Sequence, residues 1–339
     1  MSPPTVRNYE AGDDLTAMKA ARVHEFGGPE KIRLDDVPVP VPGPGQALVK
    51  IAAAGVNFID TYHRTGLYKS DLPAPLGMEG AGTVESVAPD VQDVHPGDRV
   101  AWAMVRGSYA EYAVVPSWQL IPLPGHLDFK LAAAAMLQGM TAHYLTHSTF
   151  LLKPEHTCLV HAAAGGTGLL IVQMAKMLGA GVLGTVSTEE KARKAREAGA
   201  DHVILYTIED FIEETKKHTG GEGVHVVYDS VGKSVFLQSL DCLRPRGVMV
   251  SFGNASGPAP AIEPLLLAQK GSLYLTRPNL AHYVARRDEL HWRAGDVLRW
   301  ISEGRLHIHI GGEYRLDDAA AAHRDLEGRG TTGKLILIP

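Results

Sequence analysis

A chain of 339 residues, 45% hydrophobic and 21% charged, has the make-up of an ordinary globular protein, and at about 150 residues per domain it predicts two domains. Its formal charge of -5, with no long run of Lys or Arg, leaves no electrostatic footprint for nucleic acid or an anionic membrane. Two cysteines, Cys158 and Cys242, are too few for a four-cysteine zinc site and fit a reduced compartment.

Residues 1–17 carry Glu10, Asp13 and Asp14 and no apolar stretch, so they read as a loosely ordered extension and not as a signal peptide. No apolar run reaches the roughly 20 residues that a spanning helix needs, and a cytosolic location is expected. From Met18 to about Pro124 the chain predicts short β-runs, among them 46–54, 81–88 and 110–115, separated by Pro/Gly clusters such as 38–45. Helix and strand then alternate: an Ala-rich helix to His147, strand 157–161, helix 168–178, strand 181–186 and helix 189–198. The alternation continues through strand 203–205, helix 208–218, strand 224–228, helix 234–242 and strands 247–252 and 272–276. Such a pattern predicts a doubly wound α/β unit with six parallel strands. A helix over 288–303 and strands near 307–310 and 334–338 are expected to return to the first domain.

Strand 158–161 runs directly into Ala162-Ala163-Ala164-Gly165-Gly166-Thr167-Gly168 and an apolar helix. Small residues let the backbone approach phosphates, and the free N–H groups and positive dipole of the helix N-terminus attract their charge. A dinucleotide site of the NAD-specific kind places Asp or Glu at the end of the second strand, on the ribose 2′-hydroxyl. Ser187 and Thr188 stand there. Thr188 reads as an N-cap, and Glu189 and Glu190 as first-turn carboxylates explained by the helix dipole. Lys191 and Arg193 can neutralise a 2′-phosphate, so NADPH is the expected cofactor.

These segments, with Phe26-Gly27-Gly28-Pro29-Glu30, Gly55 through Tyr62, Gly97-Asp98-Arg99-Val100, Val227 through Gly232, Ser251-Phe252-Gly253-Asn254 and Thr276-Arg277-Pro278, resemble the zeta-crystallin-like quinone oxidoreductase branch of the medium-chain dehydrogenase/reductase superfamily. The resemblance covers residues 18–339. It implies a GroES-like β-rich catalytic domain (18–141 and 282–339) and a Rossmann cofactor domain (142–281). Zinc alcohol dehydrogenases of this superfamily bind catalytic zinc through Cys, His and Cys, where this chain has Asn57, Met78 in Gly77-Met78-Glu79, and Gln138. That set cannot replace thiolates and imidazole, so no metal is expected and alcohol oxidation loses its Lewis acid. Two other histidine pairs, His143/His147 and His307/His309, have ligand-like spacing but no adjacent carboxylate or Cys.

The resemblance further implies that Asn57, Phe58, Tyr62 and Thr141 surround the nicotinamide. It assigns Gly165, Gly166, Thr167, Gly184, Ser187, Thr188, Lys191 and Tyr206 to the pyrophosphate and phosphorylated ribose. Ser230, Phe252, Gly253, Asn254, Thr276, Arg277 and Arg329 match further cofactor contacts. Direct hydride transfer from NADPH to a quinone is the expected reaction, with Tyr62 and Asn57 as candidate hydrogen-bonding groups for the quinone oxygen. Reduction of an enal or enone is the alternative enzyme reading, and a crystallin-like structural or RNA-binding role the alternative of another class. A homodimer paired through the edge strand near 271–276 is implied as well.

Overall fold

The computed structural model describes residues 16–328 and 330–339. Most of the predicted extension and Arg329 therefore lie outside the described residues. The second half of the chain forms a six-stranded, wholly parallel sheet in the order His202–Leu205, Gly181–Val186, Thr157–His161, Val224–Asp229, Leu243–Ser251, Tyr274–Thr276. This is the doubly wound arrangement, whose order reverses beside Thr157–His161 and opens a crevice at the strand C-termini. Val160, Val182, Val226 and Val250 are buried in one continuous core with the helices that cover the sheet. Near-continuous apolar strands are what burial on both faces demands.

The first half and the last strands build a seven-stranded sheet whose main path runs Ile310–Arg315, Lys334–Ile338, Gln46–Val56, Glu79–Val87, Arg99–Ala103, Ile121–Pro122, with Tyr112–Pro116 also paired to Gln46–Val56. A three-stranded sheet of Ile32–Val37, Met18–Val23 and Ala74–Pro75 completes this part. Helix Phe129–Tyr144 packs on both the phosphate-loop helix Gly166–Met177 and helix Arg287–Ser302, so it joins the two sheets' layers.

Several boundaries move from their expected places for local reasons. The helix expected from Ile208 begins at Phe211, because the Asp210 carboxylate accepts the backbone N–H groups of Ile212 and Glu213 and fixes the N-cap there. The strand expected near His307 begins at Ile310, since the Gln173 side chain takes the 307 backbone groups that a ladder would need. The seven-residue helix Phe58–Arg64 is not foreseen by periodicity; a capping box between Asn57 and Asp60 starts it. Among the described residues no helix is long and apolar enough to cross a membrane.

Candidate functional site: a phosphate loop facing a buried ion network

The turn after strand Thr157–His161 is built for close approach. Ala162 adopts a left-handed φ of 51°, a strained conformation for a residue with a Cβ, and swings the chain from strand into helix. The Ala163 N–H donates to the Thr185 carbonyl and the Gly165 N–H to Ala162, which pins the loop on both sides. Helix Gly166–Met177 then starts from Gly165 with no side-chain cap, leaving its first N–H groups for a ligand. A Cβ on Gly168 would collide with the Ala162 carbonyl, and one on Gly184 would sit 2.8 Å from the Ala163 Cβ. The glycines thus keep the helix tight against the sheet as well as open to phosphate.

At the end of the second strand the structure places Ser187 beside Lys191, whose Nζ donates to Ser187 Oγ at 3.4 Å. Thr188 caps helix Glu189–Glu197 by accepting the Lys191 N–H, as its sequence position implies. Glu189 pairs with Arg196 on that helix's outer side. Tyr206, half exposed at the end of strand His202–Leu205, adjoins this corner through its N–H bond to Val186. These groups fit a phosphorylated ribose.

Opposite the loop, antiparallel pairing brings three strand ends together. Leu335 lies across from Val56, and Gly80 across from Ala54, so Lys334, Asn57 and Glu79 converge. The Lys334 ammonium donates to Asn57 Oδ1 at 2.6 Å and forms a very close ion pair with Glu79 Oε1. Asn57 Nδ2 donates to Glu79 at 2.8 Å, and Glu79 Oε2 accepts the Leu137 N–H. All three side chains are buried. Burial pulls Lys334 below its ordinary pKa, opposed by the charges of Glu79 and Asp60.

The network extends away from the cleft. Asp60 Oδ2 accepts the Asn57 N–H and the Tyr109 hydroxyl; Tyr109 meets His323 Nε2, and Arg64 Nη1 donates to His323 Nδ1. Arg64 closes the chain with two hydrogen bonds to Glu327. Because the guanidinium can only donate, His323 Nδ1 accepts and its Nε2 carries the proton, which orients every bond toward Asp60. Burial pushes the Asp60 carboxyl up from 3.8 to about 7. A raised folded pKa means that Asp60 contributes stability fully below about pH 4 and loses it as pH rises through about 7. Asp60→Asn is expected to remove that dependence, seen as a smaller stability difference between about pH 5 and about pH 8 in urea unfolding. An undiminished difference would place the titrating group elsewhere.

The position that holds catalytic zinc in the zinc alcohol dehydrogenases does not fit a metal in this chain. Asn57 offers a carboxamide whose two ends are already bonded, and a lysine ammonium stands against it. Gln138 lies against the phosphate loop, where a Cβ on Gly166 would run into its amide. His143 is occupied as well: Asp296 contacts its Nε2 at 3.1 Å and Arg293 its Nδ1 at 3.3 Å. His309 Nε2 meets Lys194.

The two halves meet at the cleft. Tyr62, on helix Phe58–Arg64, accepts the Asn254 N–H at 2.8 Å from the loop after strand Leu243–Ser251. Arg277 donates to the Ser251 carbonyl, and Asn254 is oriented so that its Oδ1 accepts from Arg277. A Cβ on Gly253 would collide with the Ser230 carbonyl, so these segments close on each other. Phe58 lies beside Tyr62, ring centroids 6.5 Å apart, and Thr141 is buried in helix Phe129–Tyr144. Gly333 bridges to Gly165, carrying the Lys334 segment onto the phosphate loop. Sequence reasoning missed the roles of Glu79, Lys334, Asp60, Tyr109 and His323. The available signal was a lone Lys before the apolar run Leu335–Ile338, and a Glu directly before the small-residue run Gly80-Ala81-Gly82.

A GroES-like and Rossmann pair, with a dinucleotide loop and with Asn57, Met78 and Gln138 where the zinc alcohol dehydrogenases carry their catalytic-zinc ligands, defines a medium-chain dehydrogenase/reductase. Residues 43–125 match the alcohol dehydrogenase GroES-like domain family and residues 166–285 the zinc-binding dehydrogenase family. The chain is 46% identical to a quinone oxidoreductase of Pseudomonas aeruginosa, over 93% of this chain and 97% of that one. It is 44% identical to a 2-haloacrylate reductase of a Burkholderia species, over 94% and 98%. The structure of Escherichia coli quinone oxidoreductase complexed with NADPH superposes with a TM-score of 0.93 at 43% identity, covering 95% of this chain and all of that one. The chain belongs to the quinone oxidoreductase family.

Proposed function

We propose that this protein is an NADPH-dependent quinone reductase working without a metal ion. The observation that carries this reading is the pairing of a phosphate loop with a cleft whose metal position is filled by Lys334, Glu79 and Asn57. Such a site can hold and orient a hydride donor but has no Lewis acid, so its acceptor must already be electrophilic. Bound NADPH supplies the hydride. Gly165, Gly166 and Thr167 would hold its pyrophosphate, and Ser187 and Lys191 its 2′-phosphate.

Tyr62 is the group best placed to answer charge developing on a quinone oxygen. Its oxygen accepts from Asn254, so its own hydrogen remains to donate. Burial pushes its pKa to about 12, so it donates a hydrogen bond without giving up the proton. Asn57, with both carboxamide ends held, positions helix Phe58–Arg64 beneath it.

Initial rates with NADPH and NADH against a quinone panel and an enal, with and without a chelator, test this reading. NADPH-dependent quinone reduction unaffected by the chelator is expected; preference for NADH, or chelator inhibition of a chain whose Tm is unchanged, would overturn it. Tyr62→Phe keeps the ring contact with Tyr68 and should lower quinone turnover about tenfold or more at nearly constant KM for NADPH. Unaltered turnover would remove Tyr62 from the mechanism. The 2-haloacrylate reductase relative favours one second reading, hydride delivery to an activated alkene, which the enal arm addresses. Dimerisation through Tyr274–Thr276 is supported by exposure of Tyr274 and Leu275 on that edge strand, and a cytoplasmic setting by the two free, buried cysteines.

A further inference from the structure

The edge of the cofactor sheet opposite Tyr274–Thr276 carries a histidine cluster that hydride transfer does not use. His202 opens the edge strand His202–Leu205. Glu214 and His218 stand four residues apart on helix Phe211–His218, which places them on one face. Both imidazole Nε2 atoms approach the same carboxylate oxygen, Glu214 Oε2, at 3.7 Å from His202 and 3.5 Å from His218. The donor atoms of the three residues all lie within 4.8 Å of one another. The two rings are stacked, with centroids 3.5 Å apart.

This arrangement leaves a polar atom unexplained. His202 Nε2 is shielded from solvent and makes no hydrogen bond, although a carboxylate lies just beyond reach. An orphaned ring nitrogen carries a desolvation cost that a cation placed between nitrogen and carboxylate would remove. The geometry suits one. With metal–ligand distances of about 2.0–2.1 Å, donors at the corners of a tetrahedron stand about 3.3 Å apart, so each imidazole nitrogen needs to approach Glu214 Oε2 by only a few tenths of an ångström. The two ring nitrogens lie within 4.8 Å of each other, and the rings, now 28° from parallel, would open further to aim both at one ion. The fourth corner would face solvent. The stacked pair His143 and His147 differs, because Arg293 already sits against His143.

We propose that His202, Glu214 and His218 form a structural site for a first-row divalent cation of the Zn²⁺ type. Two imidazoles and one carboxylate are a donor set for zinc, nickel or copper. The cation would displace the Lys217 ammonium now paired with Glu214 and tie the helix to the sheet edge. His202 lies at the opposite end of its strand from Tyr206, so the ion is remote from hydride transfer and this proposal does not depend on the acceptor.

The test uses the full chain loaded with NADPH, dialysed against low-micromolar ZnCl2 and then analysed for metal content and thermal unfolding. One zinc per chain and a raised Tm are expected. His218→Ala and the shape-conserving Glu214→Gln should each weaken zinc binding about tenfold or more and abolish the Tm rise. Absence of retained zinc, or equal retention by wild type and both variants, would overturn the site. Metal content is read without turnover, so failure here is separable from failure of the quinone reading.

Discussion

Lys334→Met is expected to destabilise the folded protein by about 3–5 kcal/mol, because it leaves the buried Glu79 carboxylate without its cation. The penalty reflects the charge left behind and not the net worth of the ion pair. Adding Glu79→Gln to Lys334→Met should therefore restore most of the loss, since the double variant buries neutral groups of similar volume. Chemical unfolding of the two single variants and the double variant forms a cycle that isolates the coupling. Additive losses would show that the contact does not govern stability. The double variant also asks a functional question. Asn57 would lose the ammonium at its Oδ1, and quinone turnover in a stably folded double variant reports whether the anchored carboxamide matters for more than folding.

Lys191→Ala is expected to raise KM for NADPH about 10- to 150-fold, the range for loss of a charge-assisted hydrogen bond, while KM for NADH stays nearly constant. Only NADPH carries the 2′-phosphate. Ser187→Asp, at the end of strand Gly181–Val186, should add repulsion against that phosphate and move preference toward NADH, whose ribose hydroxyl a carboxylate can accept. Equal losses for both cofactors in Lys191→Ala would instead make Lys191 a support of the helix it helps start, where Thr188 accepts its N–H. The two cofactors compared in one variant therefore separate phosphate recognition from local folding.

The ion network gives the exchange of zinc ligands for Asn57, Met78 and Gln138 a structural counterpart. Where zinc relatives of the superfamily place charge with a metal, the described residues of this cleft place an ammonium already compensated by Glu79 and Asn57. A compensated cation is a weak electrophile but a firm anchor. Its position under helix Phe58–Arg64, and the Tyr62–Asn254 bond across the mouth, hold Asn57 and Tyr62 in defined orientations at the cleft.

What could be read in the chain alone was whatever local chemistry dictates. The strand–small-residue loop–helix at 157–177, the Thr188 cap and the period of the parallel strands depend on neighbours within a few residues, and they were legible as such. The missing zinc set was legible by substitution at Asn57, Met78 and Gln138. Only the tertiary structure decided what replaced it. Lys334 lies 277 residues from Asn57 in sequence, and no local pattern announces that antiparallel pairing of three strand ends will put them in contact. The same holds for His202 with His218, joined by the packing of a helix on an edge strand, and for Tyr62 with Asn254, joined across two domains. Local propensity and periodicity fix elements over short range, whereas buried charge pairs form only where the closing of strands excludes water, and that is a property of the assembled fold.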